Sequence, residues 1–193
     1  MTASPIATAT SPRERLLDAA DELFYAEGVQ SVGIDRIIER AGVAKASLYS
    51  AFGSKDELVR AYLERRHERR AARVLAGLER FPTPRARLLG VFDVLGELTQ
   101  RPDFRGCAFQ NARAETKPDS KAVPVCDRTR AWTRDLFRKL AADAGVPEPG
   151  AFARQLILLY DGAMTSARMD GDLDAPSRAR RVAEKLLALA LGE

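Results

Sequence analysis

Apolar residues in this chain recur every three to four positions, and no stretch alternates apolar with polar over the length of a strand. The periodicity predicts an all-α protein of nine helices, three in the first part and about six after a long connector. Ser11-Pro12-Arg13-Glu14 opens the first helix, with an N-cap serine, proline at the first helical position and Glu at the third position of a capping box. Leu16, Leu17, Ala20, Leu23 and Phe24 form its apolar stripe, which runs to about Ala26 and stops at Gly28. Two short helices follow. IDRIIERA sets Ile34, Ile37, Ile38 and Ala41 on one face, and Gly42 stands where a chain leaving a helix often needs positive φ. KASLYSAF begins three residues later with Leu48 and Phe52 four apart, and Ala44 and Ala46 are small enough for close helix approach. Neither short helix buries enough surface alone, so the first helix is expected to brace both. Helix, glycine turn, helix is the arrangement whose second helix enters the major groove of DNA. The same arrangement also occurs in all-α proteins that never touch DNA.

Ser54-Lys55-Asp56-Glu57 is a second capping box and opens a long helix through Leu58, Ala61, Tyr62 and Arg65 into RRHERRAARVLAGLERF. Lys55 in its first turn opposes the helix dipole, a mild cost that a phosphate at the same helix end would reverse. Phe81-Pro82-Thr83-Pro84 breaks the chain. Thr83 caps the next helix, which reaches about Gln100 with Leu88, Leu89, Phe92 and Leu95 inward. Cys107–Glu115 reads as a short helix, and Val123–Gly145 as a long one carrying Val125, Trp132, Leu136, Phe137 and Leu140. Phe152–Ala167 is apolar on more than one face, which implies contact on two sides. The last helix, Pro176–Leu191, carries a broad apolar band. The chain therefore divides into a flexible arm over residues 1–11, a helix-turn-helix unit over 12–58, with the helix from 55 as connector, and a larger C-terminal helical bundle over 59–193.

Charge adds little to this picture until its placement is considered. The 193 residues carry a formal net charge of +4, which permits a polyanionic partner without requiring one. Residues 1–70 hold 11 Lys+Arg against 11 Asp+Glu, so the helix-turn-helix half is neutral overall. Arg65, Arg66, Arg69 and Arg70 read as a solvated outer face pairing with Glu64 and Glu68 rather than as a DNA contact. His67, alone of its kind, reads as a surface or domain-interface residue. Cys107 and Cys126 fall in no metal spacing and are expected to be reduced in a cytoplasmic protein. No apolar run is long enough for a membrane span, and the start lacks a signal-peptide core. An enzyme needs a glycine-rich cofactor loop, a metal cluster or a nucleophile–base pair, and the sequence offers none, so no cofactor and no metal are expected.

From Arg13 to Tyr62 the chain resembles the TetR/AcrR family of one-component transcriptional regulators. The resemblance rests on DRIIERAGVAKASLYSAFGSKDELV, including Ala41-Gly42-Val43, Leu48-Tyr49, Phe52 and Lys55. It implies a homodimer that binds double-stranded DNA at a palindromic operator, most often as a repressor, with a small-molecule effector received in the C-terminal domain. It implies that Lys45 meets phosphate or the groove edge, that Ala46, Ser47 and Ser50 face the bases, and that Tyr49 and Lys55 contact the phosphate backbone. Val32-Gly33 departs from the paired Thr/Ser usual at the start of the second helix, and Arg36 is expected to compensate. Few long side chains stand on the recognition helix, which leaves room for readout of DNA shape.

The same resemblance places an effector pocket in the C-terminal domain. Its candidate lining is Phe92, Phe109, Asn111, Trp132, Tyr160 and Met164, and the scarcity of charge on these faces suggests an apolar or amphipathic effector. The last two long helices are the expected dimer surface, with Leu156, Leu159, Leu186, Leu187 and Ala190 as contacts. The competing readings are a helical protein-binding adaptor and, within the DNA-binding class, an activator or a redox-responsive regulator acting through Cys107 and Cys126.

Overall fold

A computed structural model describes residues 11–193, and the arm expected over residues 1–11 lies outside them but for Ser11. The described residues form nine helices: α1 (Pro12–Glu27), α2 (Ile34–Ala41), α3 (Lys45–Phe52), α4 (Lys55–Leu78), α5 (Pro84–Thr99), α6 (Ala108–Glu115), α7 (Ala122–Asp143), α8 (Pro149–Met169) and α9 (Ala175–Leu191). Helix starts follow local chemistry. Ser11 Oγ accepts the Glu14 amide at 3.2 Å, Ser54 Oγ the Glu57 amide at 3.2 Å and Thr83 Oγ1 the Ala86 amide at 3.1 Å. The capping boxes form only in this direction. The Glu57 carboxylate turns instead to Arg60, at 2.6 Å, and to Lys121.

Gly42 has φ 62°, and its amide and that of Val43 return to the Glu39 and Ile38 carbonyls at 3.1 and 3.3 Å. This left-handed ending satisfies the last carbonyls of α2 and turns the chain sharply into α3. Arg15 on α1 donates to the Gly42 carbonyl at 3.3 Å, so α1 holds the turn itself as well as the flanking helices.

Two apolar cores form. One joins α1, α2, α3 and the first part of α4 around Leu16, Ile37, Leu48, Leu58 and Tyr62. The other joins the end of α4 with α5, α7, α8 and α9 around Leu88, Phe92, Phe137, Leu156 and Leu187. The first core does not stop at residue 58. Val59, Tyr62 and Leu63 belong to it, and so do Ala108, Phe109 and Ala112 of α6 with Val125 and Cys126 of α7. Helix α6 is therefore packed directly against the helix-turn-helix unit.

The arginine cluster departs from the expected solvated face. Arg65 donates to Asp18 at 2.7 Å and to the Leu17 carbonyl at 2.6 Å; Arg66 reaches Asp21 at 2.7 Å and lies 3.7 Å over the Tyr25 ring. Arg69 also faces Asp21, at 3.6 Å. The partners come from α1, which crosses α4 here, and Glu64 is taken by Arg60 at 2.9 Å. Arg70 points inward, as described below. His67 does sit between helices: Thr129 gives its hydroxyl proton to the Val125 carbonyl at 2.9 Å, so the His67 Nδ1–H donates to Thr129 Oγ1 at 3.1 Å. Its ring meets Trp132 edge-on at 5.9 Å.

Candidate DNA interface and the cavity behind it

Helix α3 presents Lys45, Ala46, Tyr49 and Ser50 on its exposed side, with Ser47 half-buried. Leu48 and Phe52 anchor it from the opposite side, in the core. Tyr49 is 47% exposed. Neither α2 nor α3 has a side-chain cap, because Gly33 and Ala44 occupy their N-cap positions. Their first amides are therefore open to an outside acceptor, which the helix dipole favours when it is anionic.

The nearby cations are less free than the sequence suggests. Arg36 forms a two-bond fork with Glu27 at 2.6 and 2.9 Å, and this hydrogen-bonded pairing pulls the Glu27 carboxyl below its ordinary pKa. Lys45 bonds Asp35 at 3.0 Å, which raises its pKa. Lys55 is half-buried and donates to the Gln30 carbonyl at 3.4 Å; burial lowers its pKa, against the pull of Glu115. It lines a cleft with Gln30, Thr116 and Ser120, between the helix-turn-helix unit and the α6–α7 turn.

Behind this surface a two-lobed cavity lies between α4, α6, α7 and α8. The lobes, about 180 and 460 Å³, share Arg70, Cys107, Phe109 and Met164. Of the six expected lining residues, Phe109, Tyr160 and Met164 are present. Phe92 is instead sealed in the C-terminal core against Phe137 and Tyr160, at ring distances of 6.0 and 6.3 Å. Trp132 packs on His67. Asn111 is exposed and bonds the Arg105 carbonyl at 3.1 Å, because two residues along α6 turn it to the far side from Phe109.

The expected scarcity of charge does not hold here. Seven arginines and four aspartates line the two lobes. Arg70 Nη2 donates to Thr133 Oγ1 at 3.2 Å and to Tyr160 Oη at 3.5 Å. At the rim, Arg130 and Asp161 form a two-bond fork at 2.9 and 2.6 Å. The sequence held one signal for Arg70. It stands seven residues after buried Leu63 and four before buried Val74, in the apolar register of α4. Cys107 is half-buried in the shared wall. Cys126 donates to the Phe109 carbonyl at 3.4 Å, and burial pushes its thiol up to about 11, which keeps it protonated at neutral pH.

The expected dimer contacts divide by depth. Leu156 and Leu187 are wholly enclosed in the protomer's own core, and Leu159, Leu186 and Ala190 are half-buried against it. Contact with α7 and α9 selects one side of the doubly apolar α8, and Leu156 falls on that side. Leu158 and Leu189 face outward instead, 73% and 75% exposed, with Val182 beside them on α9 at 44%.

Among the described residues no helix is long and apolar enough to cross a membrane, and no group of three or more His, Cys, Asp or Glu side chains could hold a metal ion.

Comparison with known proteins gives this arrangement a family. The family model "Bacterial regulatory proteins, tetR family" matches residues 16–62, which span α1, α2, α3 and the start of α4. The chain is 33% identical over 136 residues to the HTH-type transcriptional activator FasR of Mycolicibacterium smegmatis, a match over 69% of this chain and 61% of FasR. It thus spans less than two thirds of that curated relative. Two solved structures match over nearly their full length. SCO4454, a TetR-family transcriptional regulator from Streptomyces coelicolor, is 35% identical with a TM-score of 0.80, and the match covers 94% of each chain. A putative TetR transcriptional regulator, sav143, from Streptomyces avermitilis is 35% identical with a TM-score of 0.79, covering 91% of this chain and 99% of the other. With the glycine-turned helix pair, the bracing first helix and the helical bundle behind them, the chain belongs to the TetR family of transcriptional regulators.

Proposed function

We propose that this protein is a sequence-specific DNA-binding regulator, a homodimer that represses from a palindromic operator and is released by a small molecule bound in the two-lobed cavity. The observation that carries the reading is the uncapped, outward pair α2–α3, with Tyr49, Ser50 and Lys45 on the exposed side of a core-anchored helix. Tyr49 Oη and the free amides of α2 and α3 hold phosphates and set register; Ala46, Ser47 and Ser50 meet base edges. Arg36 and Lys45 join in as phosphate displaces Glu27 and Asp35. Lys55 supports the interface from behind, through the Gln30 carbonyl.

A second copy docks on the outer side of α8 and α9, where Leu158, Val182 and Leu189 replace the core-bound Leu156 and Leu187 as contacts. Such a dimer holds two recognition helices at a spacing of roughly 34–36 Å, one DNA turn. Coupling runs through α6. Its Phe109 lines the cavity, and its last residue, Glu115, bonds the Gln30 amide of the helix-turn-helix unit at 3.0 Å. A ligand that shifts α6 changes dimer geometry and selects against the DNA-bound spacing.

One observation favours a second reading. FasR carries the name of an activator, and activation uses the same interface with the opposite effect on transcription. Selection of duplexes from fragmented genomic DNA, beside a Tyr49→Ala/Lys45→Ala variant, tests the function. Recovery of a palindrome that the variant loses supports it, and binding without sequence preference overturns it. Transcription from a promoter carrying that palindrome, with and without the protein, separates repressor from activator.

A further inference from the structure

Arg70 is the unusual group in the cavity. Its side chain is half-buried, with its accessible surface where the two lobes meet. Its protein partners are two neutral hydroxyls, Thr133 at 3.2 Å and Tyr160 at 3.5 Å, and both are met through Nη2. Among the described residues no carboxylate lies within ion-pair distance of it. The neighbouring carboxylates are engaged elsewhere, Asp161 by the Arg130 fork and Asp21 by Arg66 at 2.7 Å. A half-buried guanidinium without a counter-ion leaves its remaining donors open to the cavity and free for an acceptor. The Phe109 and Tyr160 rings stand 5.9 and 5.8 Å from its carbon, near the outer limit of a cation–π contact, and do not replace one.

The donor set narrows the acceptor. Thr133 spends its proton on the Thr129 carbonyl at 3.0 Å, so it offers an incoming anion nothing. Arg70 contributes its Nη1 and Nε donors, and a planar fork once an incoming anion replaces the long 3.5 Å contact of Nη2 to Tyr160, whose hydroxyl then turns its own proton to the anion. At this point of the cavity, that set suits the two oxygens of a carboxylate. Phe109 and Met164 form an apolar wall beside it.

We propose that the cavity takes a small organic carboxylate with an apolar body, its carboxylate on the Arg70 fork and its body against Phe109 and Met164. The proposal rests on the ligand-responsive reading above and gives its effector a chemical class. The acid then supplies the counter-ion that the fold withholds, and it touches α6, the helix that reaches Gln30.

The test is calorimetric titration of the full-length protein with hexanoate and benzoate. Hexanamide and benzamide serve as neutral matches and inorganic phosphate as an anion without a body. At least one acid should bind about tenfold or more tighter than its amide, the effect of a charge-assisted fork. Arg70→Gln should erase that preference, and Arg70→Lys should keep only part of it. The proposal is overturned if amides bind as well as acids, if phosphate binds as well as benzoate, if folded Arg70→Gln keeps the preference, or if no acid binds. Should Arg70→Gln not fold, Tyr160→Phe decides: benzoate must weaken while benzamide does not. Operator binding measured on the same preparations keeps the two readings apart. Operator binding without acid binding removes the carboxylate site alone, whereas acid binding by a protein that recognises no operator removes the regulatory reading and leaves the site.

Discussion

The carboxylate of Glu115, the last residue of α6, accepts the backbone N–H of Gln30 at 3.0 Å, in the loop between α1 and α2. It also crowds Gly28, where an added Cβ would stand 2.8 Å from both carboxylate oxygens and where φ is +97°. This contact ties the cavity helix to the helix-turn-helix unit. Glu115→Ala should lower stability by about 1 kcal/mol, the net worth of one hydrogen bond. Its larger effect should be on coupling: the effector concentration that releases operator should rise, while effector binding to free protein stays the same. Equal shifts in both titrations would show that Glu115 carries no coupling. Gly28→Ala, strained in φ and placed against Glu115, should destabilise by more than 1 kcal/mol, on the order expected where φ is positive.

Tyr49 is exposed, and among the described residues its hydroxyl has no hydrogen-bond partner. Tyr49→Phe should therefore leave the melting temperature unchanged. Operator affinity should fall about tenfold, and nearly uniformly across operator variants, as expected for a phosphate contact rather than base readout. Fluorescence anisotropy at fixed salt measures this, and loss of preference at one base pair would assign the hydroxyl to a base instead.

The outward and inward leucines of α8 should separate stability from assembly. Leu158→Arg places a charge on the outer face and should yield a folded monomer by sedimentation velocity. Leu156→Ala opens a cavity in a fully enclosed site and should cost about 2–5 kcal/mol of stability. A dimeric Leu158→Arg protein would move the interface elsewhere.

His67 links stability to pH. Burial lowers its pKa, as do the charges of Arg128 and Arg70, and Glu68 opposes them. The unfolded chain takes up the proton near the ordinary histidine value of about 6.5, whereas the folded protein does so only at lower pH. The stabilisation is therefore complete above about pH 7 and is lost as pH falls through 6.5 to the folded value. His67→Gln, which retains a donor for Thr129, should lose less melting temperature than wild type between about pH 7 and pH 5.5. Parallel curves would exclude the histidine as the source.

The helices and their order were legible because their signals are local. Ser11-Pro12, Gly42, Ser54 and Thr83-Pro84 mark ends through bonds made within a turn, and the stripe from Leu16 to Phe24 names its own buried side. The family resemblance was legible for the same reason, since it lies in one continuous run. Which side of a doubly apolar helix turns inward is not local. Leu156 and Leu158 look alike in the sequence, and only the positions of α7 and α9 sent one into the core and left the other 73% exposed.

Charge partners follow the same division. Arg66 was expected to pair within its own helix, but α1 crosses at that level and Asp21 takes it at 2.7 Å. Arg36 and Lys45 were expected to offer their charges to DNA, but Glu27 and Asp35 hold those charges. Periodicity and capping chemistry thus determined the all-α fold and the helix-turn-helix by themselves, because each bond involved spans only a few residues. Tertiary structure decided that Arg70 lines the cavity without a counter-ion and that Glu115 reaches Gln30, because those environments are assembled by helices far apart in the chain.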